Sequence, residues 1–258
     1  MAFKSIQAII SFLSIIPAAK PSTVIDIYYV ANVMYLFPLA GAIIGSIVGV
    51  FAYEISFYMQ PLLVGFLVTA ALIIITGANH IDALADFADG LMAKGGKEVK
   101  QKAMRDPAVG SAGTAAIILY VTGMVVTLSS SHLVGLKMLT SLTVAESIAK
   151  YTMVLQAHIG LSAWRGFSSP FTSSMKDKRK FSAATAIVIL VLLATRESYA
   201  GAISLAVSVL IAVMIHYISK RSFGGVTGDV IGASNEVTRL SSLIVFTLST
   251  NDLSRLAI

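Results

Sequence analysis

The sequence predicts an all-α integral-membrane protein. It reads as a polytopic bundle of about seven transmembrane helices, within a range of about six to eight, preceded by a short interfacial helix. Three observations carry this. Of the 258 residues, 56% are hydrophobic and the mean hydropathy is +0.83. Only 12% are charged, where a soluble domain carries roughly 25%. Apolar windows of about 20 residues, the length that crosses a bilayer, recur along the chain. So few polar side chains cannot cover a surface in water, so the outer faces are expected to meet lipid.

The N-terminal "MAFKSIQAIISFLSIIP" is apolar but broken by Ser5, Gln7, Ser11 and Ser14 and ended by Pro17. It carries no clear small-residue cleavage site, so it reads as an interfacial helix with its apolar face among headgroups. The expected spans then run from Val33 to Tyr53, Met59 to Ala78, Ala112 to Ser130, Leu136 to Ala157, Ser182 to Thr195, Tyr199 to Ile218 and Gly228 to Leu248. The fifth is short, and the fourth carries Glu146 and Lys150. No repeat, low-complexity tract or second domain interrupts them, so residues 1–258 are expected to form one domain.

Charge orients the bundle. Of the 19 Lys and Arg, 14 fall in the N-terminal segment and in the stretches 79–111, 158–181 and 219–227, Lys4 and Lys20 among them. Basic residues gather in cytoplasmic loops, so these stretches are expected to face the cytoplasm at the cell membrane. The same rule explains the net charge of +6 without nucleic acid. The absence of cysteine removes disulfides, thiolate nucleophiles and Cys-based metal sites. No P-loop, Rossmann fingerprint or nucleophile elbow occurs.

The polar motifs share the cytoplasmic side. In "HIDALADFADG", Asp82, Asp86 and Asp89 stand at i, i+4 and i+7. At about 100° per residue they fall on one helix face, with Asn79 on the same stripe. Stacked carboxylates repel one another unless a cation joins them. Mg²⁺ suits hard oxygen ligands and couples carboxylates to substrate phosphates. The alternatives are a solvated acidic helix end or pairing with nearby lysines. His80 lies off the stripe and reads as a helix-end or interfacial histidine, not a ligand.

Further on, Asp106 reads either as a fourth ligand or base, or as a helix cap with Pro107 at the first helical position. Arg105, with Lys100 and Lys102, reads either as a holder of diphosphate oxygens or simply as part of a basic cytoplasmic loop. Gly110 and Gly113 let the backbone approach closely. Glu146 and Lys150 form either a helix-locking ion pair or the floor of a polar cavity. In "GGVTGDVIGASNEVTRL", Gly225, Thr227 and Gly228 surround Asp229, and Asn235, Glu236 and Arg239 follow. A glycine-rich helix start of this kind can offer backbone N–H groups to phosphate. Arg165, beside the only Trp, is a further candidate for substrate contact.

"HIDALADFADGLMAKGGKEVKQKAMRDPAVGSAG" and "GGVTGDVIGASNE" together resemble the two signature regions of the cobalamin-5′-phosphate synthase (adenosylcobinamide-GDP ribazoletransferase) family. "FLSIIP" and "FPLAGAIIG" resemble its N-terminal motifs more loosely. Ala83 departs from the family's usual Gly, and Lys150 stands where Arg is expected. The resemblance implies a membrane-bound, Mg²⁺-dependent transferase late in cobalamin assembly. Its substrates are adenosylcobinamide-GDP and α-ribazole or α-ribazole 5′-phosphate, and a ribose hydroxyl displaces GMP from the diphosphate. It places Asp82, Asp86 and Asp89 on Mg²⁺, with Asp106 or a cluster aspartate as base. Asn79, Arg105, Gly110, Lys150, Arg165, Gly225, Thr227, Gly228, Asp229, Asn235 and Glu236 are assigned to substrate. A CDP-alcohol phosphotransferase and a cation-coupled transporter are the alternatives. The oligomeric state, a homo-oligomer included, is left open.

Overall fold

The computed structural model describes residues 2–18 and 26–255; Lys20 lies outside them. Twelve α-helices appear among the described residues: α1 (Ala2–Leu13), α2 (Ile27–Asn32), α3 (Phe37–Ile55), α4 (Pro61–Ile75), α5 (Asn79–Met92), α6 (Lys97–Met104), α7 (Ser111–Leu128), α8 (Leu136–Ile159), α9 (Ser169–Ser174), α10 (Lys178–Ala194), α11 (Ser198–Phe223) and α12 (Gly228–Arg255). A 3₁₀ turn at Met34–Leu36 leads into α3. No strand forms among them, and an isolated parallel bridge joins Ser162 to Val226.

Each of the seven expected spans falls on a helix: α3, α4, α7, α8, α10, α11 and α12. Among the described residues, three segments are long and apolar enough to cross a membrane by themselves: Met34–Ile55, Ser111–Leu128 and Ser198–Phe223. The reason the others fall short differs. α10 has 17 residues. α8 is 24 residues long and would reach across, but it carries its polar side chains inside the protein, with every residue from Thr140 to Ala157 buried. It is the central post, enclosed by α3, α10, α11 and α12. α12 likewise buries Ser234, Asn235, Glu236, Thr238, Arg239 and Ser242. Hydropathy measures lipid-facing helices well and enclosed ones poorly, because an enclosed helix can satisfy its polar groups on neighbours.

Close packing on the post depends on small residues. A Cβ at Gly41 would stand 2.4 Å from Glu146 O and one at Gly45 2.5 Å from Leu142 O. Spaced every four residues with Gly49, they let α3 lie backbone-to-backbone on α8.

α4 and α5 meet at 91°. The bend is made by Gly77 and Ala78, both left-handed, with φ of 67° and 60°. α5 therefore does not continue α4 as a straight span but turns crosswise to it, and it packs against α12, α7 and α6. α1 departs from the sequence expectation. It buries Ile9 and Leu13 in the core and packs on α3, so much of its apolar face meets protein instead of headgroups.

Candidate active site

The crosswise α5 forms one wall of a cavity of about 540 Å³. The start of α12 faces it, and the loop between α8 and α9 closes a third side. That loop is pinned to α12's approach: Val226 N–H donates to Leu161 O at 2.8 Å and Ala163 N–H to Val226 O at 3.0 Å. One flank is aromatic, built from Phe12 of α1, Phe37 of α3, Phe167 and Phe171. Their rings pack with centroids between 5.7 Å (Phe167–Phe171) and 6.4 Å (Phe37–Phe171). The other flank is polar: Asn79, His80, Arg105, Thr227 and Asp229. The Arg105 guanidinium lies 3.8 Å over the Trp164 ring, which holds it at the cavity edge.

Thr227 starts α12. Its Oγ1 accepts the Val230 N–H at 3.1 Å, a helix cap that orients Asp229 in the first turn. Asp229 and the α5 carboxylates feel one another. Partial burial, then the charges of Asp82, Asp229 and Asp89, push the Asp86 carboxyl up from 3.8 to about 6. Asp82 is exposed, while Asp86 and Asp89 are half-buried. Among the described residues no three acidic or histidine side chains converge closely enough to hold an ion. The donor chemistry nevertheless fits Mg²⁺: these are hard carboxylate oxygens, and the repulsion that raises Asp86 is what a shared cation relieves.

Beneath the cavity lies a sealed network. Arg239 donates Nε to Glu146 Oε1, Nη1 to Glu236 Oε2, and Nη1 to Tyr120 Oη at 2.9 Å. Lys150 Nζ donates to Asn235 Oδ1 at 2.8 Å and to Glu146 Oε2 at 3.3 Å. Asn235 Nδ2 donates to Glu236 Oε1 at 2.8 Å. Two carboxylates and two cations balance, each in contact with partners, which is what buried charge requires.

The sequence model of the family described as cobalamin-5-phosphate synthase matches residues 5–247 of this chain. The chain belongs to the cobalamin-5-phosphate synthase family. Relatives named adenosylcobinamide-GDP ribazoletransferase occur in Methanocella arvoryzae (30% identical, 92% of this chain and 93% of the relative), Methanococcoides burtonii (30%, 95% and 92%) and Archaeoglobus fulgidus (30%, 95% and 98%). No solved structure matches.

In this cobalamin-5-phosphate synthase family member, the residues singled out by sequence go to different places. Asn79, Arg105, Thr227, Gly228 and Asp229 line the main cavity. Asp89, Asp106 and Gly110 share a smaller pocket of about 300 Å³. Asp89 takes two backbone bonds there, from Gly110 N–H at 2.7 Å and Gly113 N–H at 2.9 Å. Asp106 accepts the Ala108 N–H at 3.0 Å. The cap reading of Asp106–Pro107 does not hold. α7 starts at Ser111 after Gly110, and Asp89 takes its free amides from across the fold. Lys100 donates its ammonium to Leu91 O at the end of α5. Arg165 is exposed in a separate open groove with Tyr28 and Lys180. Gly225 packs against the α8–α9 loop, where a Cβ would stand 2.5 Å from Leu161 O. Lys150, Asn235 and Glu236 sit in the sealed network and do not line the cavity.

The aromatic flank went unnoticed in the sequence, and Trp164 was noted only as the neighbour of Arg165. They come from α1, α3 and the 164–171 stretch, and no single spacing links those segments. His80 is a second omission. The sequence reading put it at a helix end, where it stands in the first turn of α5, but did not place it in the cavity wall, which it lines at 8% exposure.

Proposed function

We propose that this protein is an adenosylcobinamide-GDP ribazoletransferase. It joins adenosylcobinamide-GDP to α-ribazole or α-ribazole 5′-phosphate and releases GMP, late in the assembly of the cobalamin nucleotide loop. The family membership supports the activity. The observation that carries the mechanism is one cavity with an aromatic flank and a polar flank, with Asp229 in its wall and Asp86, outside the lining, close enough to feel the Asp229 charge. Large apolar and planar substrate parts belong on Phe12, Phe37, Phe167 and Phe171. The diphosphate belongs on the polar side, where Arg105 supplies a fixed fork of donors.

Asp82, Asp86 and Asp229 would hold Mg²⁺, with Asp89 adding a free lone pair. Bound there, Mg²⁺ neutralises charge that develops on the diphosphate oxygens. The protein's own part is positioning. Trp164 and the Val226 bridge hold the rim, and the cap at Thr227 aims Asp229. The hydroxyl of ribazole attacks the cobinamide-linked phosphorus, the bond to the GMP oxygen breaks, and the hydroxyl proton passes to a carboxylate. Asp106 opens on the smaller pocket, so a cluster aspartate is the better base.

The reading includes a single domain with seven spans at the cell membrane and a cytoplasmic site. The match to one transferase family supports neither the CDP-alcohol phosphotransferase nor the transporter. Purified protein in detergent, given adenosylcobinamide-GDP, is expected to release GMP only when α-ribazole or its phosphate is present. GMP release indifferent to the nucleoside would overturn the transferase. Activity surviving Asp86→Asn would overturn the role of the cluster.

A further inference from the structure

We propose that His80 is a substrate-contact residue that presents Nε2 to the cavity as acceptor for a hydroxyl of the nucleoside substrate, with Glu236 as the positioning residue behind it. The inference rests on the transferase reading above.

The ring lines the cavity and is largely buried, its side chain 11% exposed. Its Nδ1 edge is turned inward, buried and without a hydrogen-bond partner. Glu236 Oε1 stands 3.8 Å from that nitrogen. That oxygen is held by Asn235 Nδ2 at 2.8 Å, and the other by Arg239, so Glu236 cannot swing away. A carboxylate facing one imidazole nitrogen favours the proton there and leaves a lone pair on the other. Among the described residues no donor reaches Nε2. Gly232, itself a cavity residue, lies against α5 beside the ring, where a Cβ would stand 2.5 Å from Ala83 Cβ. Nε2, unlike Nδ1, is not among the sealed atoms, and a ligand hydroxyl can donate to it in the same cavity as Asp229 and Arg105. The sealed network thus gains a role beyond stability, since its Glu236 end reaches the cavity through one ring.

The test uses the full chain in detergent with ¹⁵N-labelled histidine, His80→Gln identifying the His80 signals. The expected spectrum shows the Nδ1–H form, with the Nε2 signal shifting as α-ribazole is added. In kinetics, His80→Phe is expected to raise KM for α-ribazole about tenfold, and His80→Gln, which keeps an acceptor, to recover part of that. An Nε2–H form, an Nε2 signal unmoved at saturating α-ribazole, or a wild-type KM in His80→Phe would overturn the proposal. The spectrum is read on the unmutated protein, and where His80→Gln fails to fold, variants of His132, His158 and His216 assign the remaining signals to His80. Wild-type protein lacking ribazole-dependent GMP release would instead overturn the transferase reading.

Discussion

Asp89 Oδ2 accepts the backbone N–H of Gly110 at 2.7 Å, and this contact ties the aspartate helix to the next span. Only glycine permits it: a Cβ at Gly110 would stand 2.5 Å from Asp89 Oδ1. Asp89→Ala leaves two half-buried amides without an acceptor and should destabilise the fold by roughly 1–3 kcal/mol. Gly110→Ala should displace the carboxylate and lower stability and turnover together. Thermal unfolding in detergent, alongside GMP release, checks both. Unchanged melting in Asp89→Ala would show that the cap contributes nothing.

The α3–α8 contact predicts a graded series. Gly45→Ala forces a methyl against Leu142 O and should lower stability by roughly 1–3 kcal/mol. Gly96→Ala, where nothing lies within 4 Å and φ is −73°, meets no clash and should cost no more than the modest N-cap preference for glycine over alanine, about 1 kcal/mol or less. Equal effects at the two positions would argue against backbone contact between the helices.

Arg239 gives the largest expected loss. Arg239→Met leaves Glu146 and Glu236 buried with one cation fewer, and should destabilise by about 3–5 kcal/mol. Denaturant unfolding in mixed micelles measures it. A near-neutral result would mean that the network is hydrated in solution.

The coupled aspartates give a pH prediction. Asp86 has its folded pKa raised from 3.8 to about 6. With no cation bound, the folded state therefore holds this proton more tightly. Its stabilising contribution is present below 3.8 and is lost as pH rises through about 6. Mg²⁺ competes for the same oxygens. At limiting Mg²⁺, activity should fall as pH drops through about 6, and excess Mg²⁺ should move that midpoint lower. A chelator should abolish turnover and added Mg²⁺ restore it. A midpoint indifferent to Mg²⁺ would remove the ion from these carboxylates.

Trp164 should act through Arg105. Trp164→Ala removes the ring under the guanidinium and should raise KM for the diphosphate substrate about 2- to 10-fold, with a smaller change in kcat. The same variant should leave KM for α-ribazole nearly unchanged. A selective rise in the ribazole KM would put Trp164 on the other substrate.

The aspartate stripe was legible because helical spacing alone puts residues 82, 86 and 89 on one face. The helices at the seven apolar windows were legible because hydropathy is local, and three of them, among the described residues, are long and apolar enough to cross a membrane. Glu146 and Lys150 were legible as a pair, since i and i+4 neighbours meet on any helix. Their link to Arg239, about ninety residues away, was not legible, because it depends on how α12 crosses α8. Asp89 shows the same limit. Its place on the stripe follows from spacing, but its bonds to Gly110 and Gly113 depend on where α7 begins.

By itself, then, the sequence determined an all-helical chain built of apolar helices, a carboxylate face just after an apolar segment, and the family. Only the tertiary structure decided which polar residues reach the cavity. It sends Asp229 and His80 to the cavity wall and closes Lys150, Asn235 and Glu236 beneath it. The physical reason is that periodicity sets the face of a helix on which a side chain stands. Whether that face meets lipid, a cavity or another charge depends on packing between segments far apart in the chain.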